Sequence, residues 1–139
     1  MSAIDTVEAL LSSYYSQDHE RTLGLITEEF TWSNVAIPKA TVDSKEVMRQ
    51  LLYQGNMGFP DQIETGHHVT LNAIADGDLV LHEWVDHWTL RGVEMDCPCA
   101  AVFTVVGDKV SMWKDYYDIG HVIRQFESVG FEIDTSKWF

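Results

Sequence analysis

The first third of the chain spaces its apolar residues three and four positions apart, the pattern of helices that bury one face. This spacing predicts a helix over residues 3–16, with Ser2 as its N-cap, and a short second helix over residues 19–26. Residues 30–35 then predict a brief strand, which ends before a loop at Pro38 because the residue before a proline disfavours helix.

Two further helices are marked by their capping signals. Residues 43–46 have the acceptor-then-Glu spacing of a capping box, so a third helix is expected there and should stop at Gly55 or Gly58. Near the end of the chain, Asp118 can cap a last helix over residues 119–128, whose apolar side chains fall on one side.

Between these two helices the pattern changes to a period of two, which is typical of strands. Turn signals containing Gly divide this region into four strands. The predicted strands cover residues 62–75, 79–90, 93–106 and 109–117, with turns at residues 76–78, 91–92 and 107–108. The order of elements predicts an α+β fold in which three to four helices pack across one face of a strongly bent antiparallel sheet that wraps around a pocket. We expect residues 1–139 to form one domain.

Alternation along two of the strands assigns side chains to faces, since neighbouring residues point to opposite sides of a sheet. Residues 79–90 and 109–117 each have one face on which an Asp stands between aromatic residues. The first face carries Val80, His82, Trp84, Asp86 and Trp88, and the second carries Ser111, Trp113, Asp115 and Tyr117. The opposite face, with apolar Val85, Val110 and Met112, is one that a second copy of the chain would cover in a homodimer.

Asp86 and Asp115 are the candidate reactive groups. If both point inward, burial and mutual repulsion raise at least one pKa, and an acid beside a carboxylate is suited to general acid and base chemistry near neutral pH. The alternative is that each Asp caps a turn or faces water. Alternation by itself leaves both interpretations open.

Composition removes several classes of function. Nine Lys plus Arg against 22 Asp plus Glu give a formal charge of −13, which repels nucleic-acid phosphates and anionic lipid. No apolar run approaches the roughly 20 residues of a membrane span, and no segment resembles a secretory signal, so a cytoplasmic location is expected.

The two cysteines, Cys97 and Cys99, lie on one face of a predicted strand with Pro98 between them. This spacing seldom forms a good disulfide, and we interpret both as reduced thiols in the pocket wall or core. No metal site is predicted, because further ligands at short spacing are absent from the sequence and His82 faces away from Glu83 and His87.

Three segments carry a resemblance to a known family. "LVLHEWVDHW" and "AAVFTVVGDKVSMWKDYYD" resemble the second half of the limonene-1,2-epoxide hydrolase family, which belongs to the SnoaL-like group of nuclear-transport-factor-type, cystatin-like proteins. The upstream "FTWSNVAIP" resembles that family's water-binding segment. The resemblance implies a cone-shaped α+β fold, a homodimer, a small hydrophobic substrate and no organic cofactor.

The resemblance also implies roles for individual residues. The water-activating Asp falls on Asp115, the Asn that holds the water on Asn34, and the acid that protonates the epoxide oxygen on Asp86. Two positions depart from the family pattern: Trp32 stands in place of a Tyr, and Trp84 in place of the Arg between the two carboxylates. Trp32 can donate a hydrogen bond but cannot accept one. Loss of the Arg charge should raise the coupled pKa values of the two acids.

These observations predict an epoxide hydrolase first. The first alternative is an isomerase, dehydratase or polyketide-type cyclase that uses the same carboxylates for proton transfer, with His68, His82 or Tyr117 stabilising an oxyanion. The second alternative is a non-catalytic ligand-binding domain. In all three cases the expected pocket shape depends in part on Met57. The predicted substrate-binding residues are Trp32, Trp84, Trp88, Trp113, Tyr117, Cys97, Cys99 and His82.

Overall fold

A computed structural model describes residues 1–54 and 64–139 of the chain. Its helices are α1 (Ala3–Tyr15), α2 (His19–Gly24), α3 (Lys45–Gln54) and α4 (Ile119–Ser128), with a short 3₁₀ turn at Thr135–Lys137. Its strands are β1 (Ile26–Asn34), β2 (Thr41–Val42), β3 (His67–Asp76), β4 (Leu79–Leu90), β5 (Val93–Val106) and β6 (Lys109–Tyr117). They form one sheet in the order β2-β1-β6-β5-β4-β3. The α+β fold class is confirmed, and none of the helices in the described ranges is long and apolar enough to cross a bilayer.

The predicted helix starts are present. Ser2 caps α1, because its side chain accepts a hydrogen bond from the Asp5 N–H at 3.0 Å and the Asp5 carboxylate accepts one from the Ser2 N–H at 3.1 Å. Asp118 caps α4 in a similar way. At α3 the side chain that caps is Ser44, which accepts from the Val47 N–H at 3.1 Å. The predicted helix end at Gly55 or Gly58, the strand start at residue 62 and the pocket position Met57 lie outside the described residues.

Strands β4, β5 and β6 begin and end at the predicted residues. Gly77, Gly92 and Gly107 have φ angles of 59°, 77° and 62°, the left-handed conformation that tight hairpins require and that glycine adopts without a Cβ clash. The structure differs from the prediction in several places. The two-residue strand β2 was not predicted, and β3 begins at His67, so residues 64–66 lie outside the strand. Because β1 already begins at Ile26, the second helix is shorter than expected, and β1 pairs with β6 in parallel, so the sheet is mixed.

A bulge between β5 and β6 corrects one face assignment. The pairing changes from Thr104 opposite Met112 to Val105 opposite Val110, which leaves Ser111 as an extra residue on β6. The extra residue reverses the alternation, so Val110 is 0% exposed in the core instead of lying on the outer face. The prediction for Val110 was therefore wrong, whereas Trp113 and Asp115, beyond the bulge, do face inward.

The core lies between the inner face of the sheet and the helices. The apolar face of α1, with Val7, Leu10 and Leu11, is completely buried in it. A helix anchored over this length holds its last turn over the sheet. Its final two residues, Tyr14 and Tyr15, therefore lie among the aromatic side chains of β1, β4 and β6.

Candidate functional site

Asp115 is held at the centre of the sheet, where β6 runs between β1 and β5. Its Cα partner in β1 is Asn34, and its partner in β5 is Ala101. The residue is 4% exposed, and the indole N–H of Trp32 donates to Oδ2 at 3.3 Å. The other oxygen, Oδ1, has no hydrogen-bond partner within residues 1–54 and 64–139. A buried carboxylate with one donor is poorly compensated for its lost hydration.

Asn34 shares this incomplete hydrogen bonding. It is 5% exposed, and its Oδ1 also lacks a partner in the described part of the chain. The parallel pairing of β1 with β6 puts it directly beside Asp115. The two side chains thus present buried acceptor oxygens that a hydrogen-bond donor would satisfy.

Asp86 lies on β4, on the other side of β5 from Asp115. The indole N–H of Trp84 donates to its Oδ1, and the Cys99 thiol donates to its Oδ2 at 3.5 Å. Trp84 Nε1 is also 3.3 Å from the Tyr15 hydroxyl, which itself hydrogen-bonds to Asp86. Asp86 therefore has three donors, all of them formally neutral.

The surroundings raise the pKa of both acids. Burial raises the pKa of Asp86 to about 6 in spite of the hydrogen bonds from Tyr15, Trp84 and Cys99. Burial raises the pKa of Asp115 to about 7, the Trp32 hydrogen bond opposes the shift, and the charge of Asp86 adds to it. The two groups influence each other and titrate near neutral pH, so together they can give and take a proton under physiological conditions.

The predicted wall residues take different positions. Trp84 and Trp113 are fully buried, and Trp32 stacks on Trp113 with ring centroids 4.4 Å apart. Trp88 and Tyr117 are partly buried at the edge of the same core. Their contact with a substrate stays a prediction.

Two aromatic residues at this site were not identified from the sequence. Tyr14 lies edge-on to Trp32 and Trp113, with centroids 5.4 and 5.5 Å apart. Burial, followed by the charge of Asp86, raises the pKa of both Tyr14 and Tyr15, which keeps their phenols protonated as donors. Tyr at the end of an amphipathic helix looks like core packing, so the sequence holds no separate signal for this role.

A cluster of polar side chains around Glu8 joins α1 to strands β3 and β4. Glu8 accepts from the Thr70 hydroxyl at 2.6 Å, and its oxygens lie 2.8 Å from His68 Nε2 and 2.6 Å from His82 Nε2. Burial alone would raise the pKa of Glu8, but these hydrogen bonds outweigh it and lower the pKa to about 2. His82 therefore bonds with Glu8, and its predicted contact with substrate stays a prediction.

The described residues contain one group that could hold a metal ion. The ligand atoms of Asp86, Cys97 and Cys99 all lie within 4.8 Å of one another. Pairing of Asp86 with Cys97 across β4 and β5 brings the carboxylate to the two thiols. Asp86 is far from the two cysteines in the sequence and reaches them only through the pairing of β4 with β5, so ligand spacing along the chain does not reveal it.

Comparison with known families gives a match over most of the chain. The model of the limonene-1,2-epoxide hydrolase catalytic domain matches residues 1–128. Among curated proteins, none matches at a significant level.

Solved structures share the fold at low sequence identity. An epoxide hydrolase of this type from M. tuberculosis has a TM-score of 0.74 and 20% identity, over 91% of this chain and 90% of that one. A protein with a ketosteroid isomerase-like fold from Catenulispora acidiphila, solved with trimethylamine, has a TM-score of 0.73 and 22% identity, over 87% and 91% of the two chains. A protein described as a SnoaL-like polyketide cyclase, from Shewanella denitrificans, has a TM-score of 0.76 and 9% identity, over 91% of this chain and 97% of that one. These likenesses confirm the predicted cone-shaped fold.

Proposed function

The chain belongs to the limonene-1,2-epoxide hydrolase family, and from that premise we propose that it opens the epoxide ring of small hydrophobic molecules with water. The observation that carries this proposal is a pair of buried carboxyl groups, Asp86 and Asp115, whose pKa values are raised to about 6 and about 7. Such a pair can supply an acid and a base at the same time.

In the proposed reaction Asp115 is the base. A water molecule donates one hydrogen bond to its free Oδ1 and the other to Asn34 Oδ1, the two buried oxygens without partners in the described residues. Asp115 takes a proton from this water as the water oxygen attacks an epoxide carbon. Because water donates through both hydrogens, an accepting Tyr in place of Trp32 is not required for this arrangement.

Asp86 is the proposed acid. It gives its proton to the epoxide oxygen as the carbon–oxygen bond breaks, and the product is a vicinal diol. Asp115 has the higher pKa, so the singly protonated pair carries its proton mainly on Asp115, and the reactive form with the proton on Asp86 is the minor one, about a tenth of the pair. After the reaction Asp115 holds the proton, and its return to Asp86 restores the starting state.

The aromatic surroundings support a hydrophobic substrate. Trp32, Trp84 and Trp113 lie beside the acids and offer apolar ring surface with few polar atoms. We further propose that a second copy of the chain covers the outer face of the sheet, where Ile74 and Leu81 are exposed. Sedimentation velocity tests this assembly, and a monomer at micromolar concentration would contradict it.

The direct test is hydrolysis in oxygen-18 water. We expect the protein to convert at least one member of a panel of terpene and aryl epoxides to a diol with a single labelled oxygen. Asp115→Asn should abolish this product, whereas Asp96→Asn should retain it, because Asp96 bonds to His121 of α4 instead of facing the pair. Unchanged turnover by the folded Asp115→Asn variant would rule out the proposed base.

A second function is favoured by the donors around the acids. Tyr14 and Tyr15 remain protonated beside Asp86 and could stabilise an enolate, while Asp115 removes a proton from carbon instead of water. This chemistry is that of an isomerase, dehydratase or cyclase. Isomerisation of an unsaturated ketone, with exchange of deuterium from solvent and without turnover of any epoxide, would favour it over hydrolysis.

A further inference from the structure

The wall between the two acids contains two side chains, Cys97 and Cys99, that the proposed epoxide hydrolysis does not use as reactants. Cys97 and Cys99 occupy alternate positions of β5, so both thiols lie on the same face of the sheet. Their sulfur atoms are 3.8 Å apart, and both residues are buried as free thiols. A disulfide would need a sulfur–sulfur distance of about 2.0 Å.

The carboxylate of Asp86 completes the group. Its Oδ2 is 3.5 Å from the Cys99 sulfur, while its Oδ1 is held by the Trp84 indole N–H. This hydrogen bond fixes the carboxylate so that the second oxygen faces the thiols. The three ligand atoms are thus on one side of the cone and within 4.8 Å of one another.

Two of these distances match the edges of a tetrahedral zinc site. With Zn–S bonds of about 2.3 Å and Zn–O bonds of about 2.1 Å, tetrahedral angles give a sulfur–sulfur edge of about 3.8 Å and a sulfur–oxygen edge of about 3.6 Å. The Cys97–Cys99 and Cys99–Asp86 separations are 3.8 Å and 3.5 Å, and the third pair, Cys97 and Asp86, lies within 4.8 Å. Two edges therefore match, and an ion would draw Cys97 and Asp86 together by at most about 1.2 Å.

We propose that Cys97, Cys99 and Asp86 bind a thiophilic divalent cation, Zn²⁺ or its analogue Cd²⁺, with three protein ligands and one coordination position left for water or another small ligand. Each thiol loses its proton to solvent as its sulfur bonds to the metal. The two thiolates and one carboxylate supply three negative charges to the divalent ion, and soft sulfur ligands select for Zn²⁺ and Cd²⁺ over Mg²⁺ or Ca²⁺.

The strand pairing provides a route for the ion. β6 ends at Tyr117, opposite Cys99, so at Cys97 and Pro98 the strand β5 has lost its neighbour on that side. A shallow cavity of about 160 Å³ lies there, lined by Cys97, Pro98, Asp118 and His121. An ion that enters this cavity meets the Cys97 side of the site first.

The proposed site has a consequence that rests on the proposed function. A metal bound to Asp86 takes up the oxygen that would carry the acidic proton, so saturating Zn²⁺ should stop epoxide hydrolysis. The site itself does not depend on this activity, because metal binding is measured without substrate.

The test is a titration of the tag-free, fully reduced chain with Cd²⁺, followed through the ultraviolet charge-transfer band of thiolate–cadmium bonds. We expect one ion per chain. Cys99→Ser and Asp86→Asn should each weaken binding by more than the roughly 10–100-fold that loss of an outer-shell partner costs, because each removes a ligand itself. Asp96→Asn is the matched control, because Asp96 lies next to Cys97 on β5. This variant and Asp115→Asn should both bind Cd²⁺ as the wild type does.

A second measurement needs no variant. X-ray absorption of the Zn²⁺-loaded wild-type chain should show two sulfur ligands at about 2.3 Å with oxygen neighbours at about 2.0–2.2 Å. Absence of the charge-transfer band, binding that Asp86→Asn leaves unchanged in a folded variant, or a shell of nitrogen ligands from the histidines would overturn the site. Metal binding without any epoxide turnover would overturn only the proposed function, and turnover without metal binding would overturn only the site.

Discussion

Glu8 and Asp115 both lie against the inner side of the sheet, and their surroundings shift their pKa values in opposite directions. Glu8 has three partners, Thr70, His68 and His82, and its pKa is lowered to about 2. Within residues 1–54 and 64–139, Asp115 has one side-chain donor, the Trp32 indole N–H, and its pKa is raised to about 7. Exposure adds to the difference, since the Glu8 side chain is 34% exposed and Asp115 is 4% exposed.

Glu8 therefore stabilises the fold, whereas Asp115 is available for proton transfer. The carboxylate of Glu8 is fully used in joining α1 to β3 and β4. Asp115 keeps an oxygen without a partner among the described residues and holds its proton near neutral pH. Asp86 lies between the two cases, with neutral donors and a pKa of about 6.

The largest expected effect is that of Asp115→Asn. Loss of the proposed base should lower kcat by about 1,000-fold, the usual size of a general-base contribution. At high pH the same substitution should increase the free energy of unfolding, although it abolishes the proposed base. The raised pKa means that the folded state keeps a proton which the unfolded chain releases above about pH 4, so wild-type stability falls as the pH rises towards 7.

Urea unfolding at two pH values checks this second effect. At pH 8 the variant should be about 2–4 kcal/mol more stable than the wild type, and at pH 4 the difference should be nearly lost. A variant that is destabilised equally at both pH values would show that Asp115 is compensated in the folded state.

Glu8→Gln should destabilise the fold, since it removes the carboxylate that is contrasted with Asp115. The Gln amide replaces the carboxylate that bonds to the fully buried side chain of His82, at a cost of about 1–3 kcal/mol. The lowered pKa of Glu8 also predicts that wild-type stability is lost as the pH falls from about 4.5 to about 2. Thermal unfolding between these pH values should show a shallower acid limb in the variant, and an unchanged limb would contradict the assignment.

Trp32→Phe should sharpen the comparison by removing the side-chain hydrogen bond that lowers the pKa of Asp115. The pKa of Asp115 should then rise further, and the acid limb of the pH–rate profile should move up by about one pH unit. Trp88→Phe is the matched change, because the Trp88 indole N–H has no partner in the described ranges. Equal midpoints for the two variants would show that the Trp32 contact does not tune the base.

Thr70→Val should have the smallest effect. It removes one neutral donor from Glu8 and leaves both histidines in place, so the free energy of unfolding should fall by about 0.5–1 kcal/mol. Activity on any substrate should change little, since Thr70 lies on the edge strand β3 away from Asp115. A large loss of activity would mean that the Glu8 cluster takes part in the reaction.

Local signals explain why much of the fold could be predicted. The strands β4, β5 and β6 were placed correctly because each hairpin turn carries a Gly that tolerates a positive φ, and these signals act over a few residues. Caps at Ser2 and Asp118 are similarly local. Alternation then placed Asp86 and Asp115 on faces shared with aromatic residues, but it left open whether those faces point inward.

The missed features depend on contacts between distant residues. The parallel pairing of β1 with β6 and the two-residue strand β2 have no local pattern. The bulge that buries Val110 arises from how β5 meets β6, and Tyr14 looks like any aromatic residue on a buried helix face. The approach of Asp86 to Cys97 and Cys99 follows from register alone, which a single sequence does not specify.

The most direct test of the account is a pH titration of the aspartate side-chain carboxyl carbons by NMR, with Asp86→Asn and Asp115→Asn to assign the signals. We predict two aspartates that titrate near neutral pH, with pKa values of about 6 and about 7, and a lower pKa for Asp115 once the charge of Asp86 has been removed. Two independent titrations near pH 4 would contradict the claim that these acids are buried together without sufficient compensation.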